Sequence, residues 1–350
     1  MDRRQFLAGG LASPLALGLG NAHSAEPVFI GDMHFHLFFR GTNTAASKPL
    51  AKLMADGQTT LVAWSLVGDL LWISTTPQGI KQKAEPREGE PLAWFRRELD
   101  RIKTHLSEQN LKIVRTPTDV DRALKGEPHV VLAVEGASFI ENDVSRLRLA
   151  YDLGVRHVQI VHYVNNTVGD FQTEAPRHSG LTELGKAAVR ECNRLGILVD
   201  LAHSTSAAVS QALALSTAPM VWSHSSVTDK RSPNWQMTPW QARQLSLEQA
   251  KAIAAKGGVV GLWTLRPDIG GSVEGYGERL LQMAAWLGDD HVAFGTDMHG
   301  LPSSPITDYR DLRRVIEGWP QRGVSAERIR KLAIGNYARV LRQAMTGRQA

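Results

Sequence analysis

Eight short runs of β-branched and apolar residues punctuate the chain, most of them followed by polar residues and then by helical spacing. They cover residues 28–36 (VFIGDMHFH), 59–67 (TTLVAWSLV), 129–137 (HVVLAVEGA), 156–163 (RHVQIVHY), 197–204 (ILVDLAHS), 219–226 (PMVWSHSS), 258–265 (GVVGLWTL) and 291–298 (HVAFGTDM). Runs that stay apolar instead of alternating belong to strands buried on both faces, as in a parallel sheet covered by helices. Eight strand–helix units predict an α/β fold of the (β/α)₈ TIM-barrel type. The intervening helices carry end signals. LTELGKAAVRECNRLG stops on Gly196, suited to a left-handed cap, and LSLEQAKAIAAKGG opens with Ser246 as N-cap, pairs it with Gln249 three residues on, and stops at Gly257 and Gly258. Two connections are longer than usual: 68–128, which must hold one or two extra helices, and the Pro-, Trp- and Ser-rich 225–245. In a barrel enzyme, long loops after strands are expected to build the lid and the specificity walls.

Composition adds a class and an address. With 350 residues, 43% hydrophobic and 21% charged, the chain can fill one large core. The formal charge is only +5 and no Lys/Arg block or basic stripe occurs, which excludes a nucleic-acid partner. At the start, Arg3 and Arg4 precede FLAGGLASPLALGLG and the small-residue segment NAHSA, Asn21 to Ala25. This reads as a twin-arginine signal over 1–25, handed to the twin-arginine export machinery, with 26–350 as a single domain in the periplasm. The apolar stretch is too short and too broken by Gly and Pro to remain as a stable membrane anchor. Cys192, the only cysteine, excludes an internal disulfide and sits at helical spacing as a small buried hydrophobe.

The candidate chemistry lies at the ends of the runs, since a barrel of this type gathers its reactive groups at the C-terminal rim of the strands. Those ends supply His34 and His36, Glu135, His162, His203, His224 and Asp297; the second run ends on nothing reactive and the seventh on Thr264. Two residues apart on a strand, His34 and His36 can face one point. Four such histidines with one glutamate suit two Zn²⁺ ions, or another divalent metal, with the carboxylate bridging them. A water between two cations drops in pKa from 15.7 toward about 7, so a bridging hydroxide is available at neutral pH. Asp297 is placed to take its proton and pass it to the leaving group. His105, His129, His157, His178 and His291 precede strands or lie in helices and loops and are read as structural, while His299, just past the eighth run, is left open.

These motifs resemble the membrane dipeptidase (renal dipeptidase) family of zinc metallopeptidases, within the amidohydrolase-like barrels, from about residue 30 to residue 342. AVEGA is similar to the segment of the bridging glutamate, GILVDLAHS and WSHSS to those of the two histidines of the second metal, and HVAFGTD to that of the catalytic aspartate. The resemblance implies that His34, His36 and Glu135 hold one metal, that Glu135, His203 and His224 hold the other, and that Asp297 shuttles the proton. It further implies that His162, in YDLGVRHVQIVHYVNN, contacts the substrate carbonyl or oxyanion, and that Arg243 binds the carboxylate of a dipeptide, with Arg231 as its rival. AIGNYARVL is similar to the closing helix. Three departures stand out: His36 replaces the usual aspartate of the first strand, the seventh run lacks the expected tyrosine, and His299 stands where a second aspartate is common. The reading is a two-zinc hydrolase of a small dipeptide-like amide. A lactonase or other amidohydrolase on the same site, a non-catalytic periplasmic binding protein, and assembly as a homodimer are left open.

Overall fold

The computed structural model describes residues 27–39, 49–230 and 232–347; the expected signal 1–25 and Arg231 lie outside them. In chain order the elements are β1 (Ile30–Phe35), α1 (Leu50–Gly57), β2 (Thr59–Val67), β3 (Ile73–Thr76), β4 (Gly79–Gln82), α2 (Glu90–Glu108), β5 (Lys112–Ile113), α3 (Pro117–Leu124), β6 (His129–Glu135), α4 (Arg146–Asp152) and β7 (Val155–Gln159). They continue with α5 (Glu183–Leu195), β8 (Leu198–Asp200), α6 (Ser206–Leu215), β9 (Val221–Ser225), β10 (Val227–Thr228), α7 (Pro239–Ala242), β11 (Leu245–Ser246), α8 (Leu247–Ala255), β12 (Val259–Leu262), α9 (Val273–Leu287), β13 (Val292–Phe294), α10 (Tyr309–Gly318), α11 (Ala326–Arg330) and α12 (Asn336–Thr346).

The eight predicted runs supply the strands β1-β2-β6-β7-β8-β9-β12-β13, in that order, of one parallel sheet, whose ninth strand, the two-residue β5, pairs with β6 off this path. The ends meet where Phe35 bridges Met298 in parallel and the amides of Asp297 and His36 donate to the carbonyls of His34 and Met298, so the sheet rolls into a nearly closed (β/α)₈ barrel. The predicted stop of α5 and both predicted ends of α8 are observed, and α5 has in addition an N-cap that was not among the sequence signals. Thr182 Oγ1 accepts from the Gly185 amide at the start of α5, which stops at Gly196 with φ +78°. Ser246 and Gln249 exchange hydrogen bonds at the start of α8, which ends before Gly257 with φ +77°.

Apolar residues pack on both faces of the sheet. On β2 and β6, Val62, Trp64, Val130 and Leu132 belong to the large core shared with the outer helices, while the alternate residues Leu61, Ala63, Val131 and Ala133 join a second cluster with α12. That helix touches β1, β7, β8, β12 and β13, strands from opposite sides of the ring. It lies at their N-terminal ends, where Asn336 Nδ2 donates to the carbonyls of Asp289 and Val292 and Arg339 donates to that of Gly257. The closing helix is therefore a floor, and the opposite rim is left free for a site.

The two long connections meet above that rim. Residues 68–128 contain the β3–β4 hairpin as well as α2 and α3, and the hairpin tip packs so closely on α7 that a Cβ on Gly79, with φ +97°, would lie 2.9 Å from Pro239.

Several strands stop sooner than their apolar runs. β7 ends at Gln159, β8 at Asp200 and β13 at Phe294, so His162, His203 and Asp297 sit three residues beyond a strand instead of at its last residue. The apolar run continues because the first loop residues are buried as well: Ile160, Val161, Leu201, Ala202, Gly295 and Thr296 are all inaccessible.

Candidate metal centre

Five imidazoles surround Glu135 at the barrel mouth. Its Oε1 lies 3.4 Å from His34 Nε2, 3.4 Å from His162 Nε2, 3.3 Å from His203 Nε2 and 3.6 Å from His224 Nε2, and its Oε2 lies 3.6 Å from His36 Nε2. All six side chains are buried. The sequence-predicted ligands from β1, β6 and β9 and from the loop after β8 thus converge on one point, and Asp297 stands at the edge with Oδ1 3.3 Å from His36 Nε2.

The donor atoms face one another. His34 and His36 bring their Nε2 atoms to 3.0 Å, and His203 and His224 bring theirs to 3.1 Å. His36 Nδ1–H donates to the Ser65 carbonyl at 2.9 Å, which in the neutral ring leaves the lone pair on Nε2, aimed inward. His34 Nδ1 lies 3.1 Å from Ser65 Oγ and 3.3 Å from Ser223 Oγ, and His224 Nδ1 lies 2.8 Å from Ser223 Oγ. Burial, and then the positive Arg243, holds His203 well below the usual histidine range; burial with the neighbouring His34 and Arg243 does the same for His224. Burial raises the Glu135 carboxyl, but the surrounding imidazoles outweigh it and keep it well below the ordinary range. Glu135 Oε2 has no hydrogen-bond partner. Lone pairs and an ionised carboxylate crowded together out of water repel unless a cation sits among them, so the residues present fit a divalent metal. The tightest groups, His34–Glu135–His224, His34–His36–Asp297 and Glu135–His162–His203, overlap, so the donors form one continuous nest.

Backbone strain accompanies this placement. His203 has φ +69°, Asp297 φ +51° and His299 φ +68°, conformations that bulky side chains seldom adopt and that a rigid surrounding must hold in place. His299, undecided from sequence, donates from Nδ1 to the His36 carbonyl at 2.8 Å and so supports the first pair without facing the centre. A Cβ on Gly300 would fall 2.2 Å from Asp297 Oδ1, so the carboxylate depends on a glycine beside it.

Asp69 was not among the sequence candidates. It accepts from His162 Nδ1–H at 2.6 Å and from the amides of Tyr163 and Val164 at 3.0 Å each, which fixes the ring and directs Nε2 toward Glu135. Burial lowers the His162 pKa, yet the Asp69 and Glu135 carboxylates outweigh it and the net shift is upward, opposite to His203 and His224. Asp69 lies two residues past the end of the second run, in SLVGDLL, outside the strand-end positions. A different carboxylate, Asp200, lies 3.3 Å from buried His157, which stands within β7 and does not precede a strand or lie in a helix or loop as expected from the sequence.

Arg243, from the end of α7, is also buried beside the centre. Its Nη1 donates to Gln172 Oε1 at 2.7 Å, its Nη2 lies 2.9 Å from His224 Nε2, and its Cζ lies 5.5 Å from the Trp263 ring centre. Among the described residues no carboxylate lies within ion-pair distance of it. The cleft above these groups has a volume of about 440 Å³ and is lined by His36, Glu135, His162, His203, Arg243 and Asp297, together with apolar residues that include Ile80 and Trp240 of the long connections and Trp263 and Leu301.

Residues 48–350 match the family described as membrane dipeptidase, peptidase family M19. The chain belongs to that family. It is similar to the dipeptidase tcpJ of Claviceps purpurea, at 29% identity over 311 residues that cover 87% of this chain and 71% of that protein. To the dipeptidase verJ of Clonostachys rogersoniana it is 30% identical over 243 residues, 66% of this chain and 59% of that one. Among solved structures, a metallopeptidase from Rhodobacter sphaeroides liganded with a phosphinate mimic of L-Ala-D-Ala superposes with a TM-score of 0.76 at 21% identity, covering 91% of this chain and 99% of that one. The probable dipeptidase PvdM of Pseudomonas aeruginosa gives 0.75 at 19% identity, covering 92% and 97%. At these identities the superpositions establish the fold. As a member of the M19 family the protein is a metal-dependent dipeptidase, and the imidazole and carboxylate nest is its chemically suitable metal-binding region.

Proposed function

We propose that the centre is binuclear, with two Zn²⁺ shared through Glu135: one held by His34 and His36, the other by His203 and His224. The observation that carries this reading is the buried meeting of four imidazole Nε2 atoms around one carboxylate. Bound zinc would supply Lewis acidity, polarising the scissile carbonyl and making water acidic enough to attack at neutral pH.

The remaining work falls to the chain's own groups. Asp297, at the edge of the nest and 9% exposed, takes the proton of the attacking water and returns it to the leaving amine. His162, steadied by Asp69, donates from Nε2 to the oxygen on which charge develops. Arg243, a buried guanidinium without a carboxylate partner in the described structure, receives the terminal carboxylate of the substrate; an unpaired buried cation is costly, and an anionic ligand relieves that. Arg231, the other candidate, lies outside the described residues.

Metal analysis with a dipeptide assay tests the proposal. Expected are two zinc ions per chain and saturable dipeptide turnover, with Asp297→Ala abolishing turnover while metal content holds. One ion per chain, or full activity in the variant, would overturn it. A lactone substrate is the second reading, kept because the seventh run lacks the tyrosine that the family resemblance leads one to expect. Lactone turnover indifferent to Arg243→Ala would establish it. Periplasmic export by the twin-arginine route is part of the same proposal, and cell fractionation with Arg3→Lys/Arg4→Lys tests it by retention of the enzyme in the cytoplasm.

A further inference from the structure

The cleft holds more than its reactive groups. Among its described lining residues, the carboxylates, the guanidinium and the imidazoles are all engaged at the centre: His36, Glu135, His162, His203, Arg243 and Asp297. The apolar lining is Phe39, Ile80, Trp240, Trp263, Leu265 and Leu301, and apart from the Tyr163 ring the rest is threonine, proline and glycine.

This wall is fixed. The Trp263 indole N–H donates to Asp268 Oδ2 at 2.6 Å, and Asp268 also accepts from the Gln244 amide, which holds the ring and turns its only polar atom toward that carboxylate. Trp240 and Leu301 pack against the main core, and Phe39 stacks on His36 at 5.2 Å between ring centres. Overhead, the hairpin tip at Gly79 meets Pro239. Apart from the groups of the centre itself, a side chain entering this space finds apolar surface and, among the described residues, no counter-ion.

We infer that the enzyme selects among dipeptides by a bulky uncharged side chain, aromatic or branched aliphatic, seated against Trp240, Trp263, Leu265 and Leu301, and rejects Asp, Glu, Lys and Arg at that position. The inference rests on the dipeptidase reading of the site. Its physical basis is asymmetric: apolar contact gains in proportion to the area removed from water, whereas a charge stripped of water and left unpaired loses far more than it gains.

The test uses the zinc-loaded full chain and two series, X-Gly and Gly-X, with X as Leu, Phe, Asp or Lys. In at least one series, kcat/KM for Leu and Phe should exceed that for Asp and Lys by about 100-fold, the scale at which pockets discriminate. Rates agreeing within about threefold in both series, less than a single methylene commonly makes in a pocket, would overturn the inference and leave the dipeptidase reading intact. No turnover of any dipeptide would overturn both. Leu301→Lys places a cation on the wall and should raise the Asp-to-Leu ratio of kcat/KM by about tenfold, one order of magnitude for an ion pair worth about 1.4 kcal/mol. An unmoved ratio in a folded variant would remove Leu301 and its neighbours from the selecting wall. If that variant does not fold, Trp240→Ala serves instead: a preference that narrows through KM supports the wall, and one left unchanged overturns it.

Discussion

Asp69 binds no metal in this reading, yet it decides how His162 points, because its carboxylate takes the Nδ1 proton and two loop amides at once. Asp69→Asn should therefore lower kcat by about 10- to 100-fold, the usual effect of losing a group that orients a reactive imidazole, while zinc content measured by elemental analysis stays constant. Position 36 makes a separate prediction. An imidazole there, in place of the aspartate of the family pattern, leaves the first metal pair with one negative charge fewer. His36→Asp should slow zinc loss to a chelator, and equal release rates in the two proteins would discard the charge argument. Both expectations depend on side chains too deeply buried for solvent to screen them.

At the scale of elements, some helices are held by side-chain hydrogen bonds at their ends as well as by their buried face. Asp119 at the start of α3 accepts from the amides of Arg115 and Thr116 and from Thr116 Oγ1, at 3.0, 2.8 and 2.8 Å. Burial raises its pKa, but these hydrogen bonds outweigh it and set the carboxyl below the ordinary 3.8. A folded-state pKa below the unfolded one stabilises fully above the unfolded value and is lost as pH falls through the folded value. Thermal melts of Asp119→Asn and the wild type should accordingly differ by about 1 kcal/mol at pH 7, the typical worth of a cap, and converge below the folded pKa of Asp119. Strands show the opposite dependence. Their ladders end early at Gln159, Asp200 and Phe294, and the residues beyond those ends are bent by the packing of their neighbours, with His203 and Asp297 forced to positive φ.

Across the whole molecule, floor and mouth are separate devices. The last helix seals the N-terminal end of the barrel through Tyr337, Leu341 and Ala344, far along the strands from the metal nest. Leu341→Ala should cost about 2–5 kcal/mol of stability, read in denaturant melts, because a fully buried leucine leaves a cavity there. Zinc content per folded chain should not change. The sequence by itself determined the eight strands, the barrel they imply, the capped ends of α5 and α8, and the identity of the groups at the rim, because hydrophobic period and end signals are local and a parallel barrel can place strand ends in only one ring. Position within that ring was not legible. Asp69 escaped notice because its partner, His162, is 93 residues away, and the strain at His203 and Asp297 arises from packing between loops that no local pattern encodes. Tertiary structure alone decided that five imidazoles crowd a single carboxylate, that a buried guanidinium stands beside them without a carboxylate partner in the described structure, and that Ile80 and Trp240 of the two long connections join Phe39, Trp263, Leu265 and Leu301 in lining one cleft. Those are contacts between segments far apart in the chain, fixed only when the barrel closes.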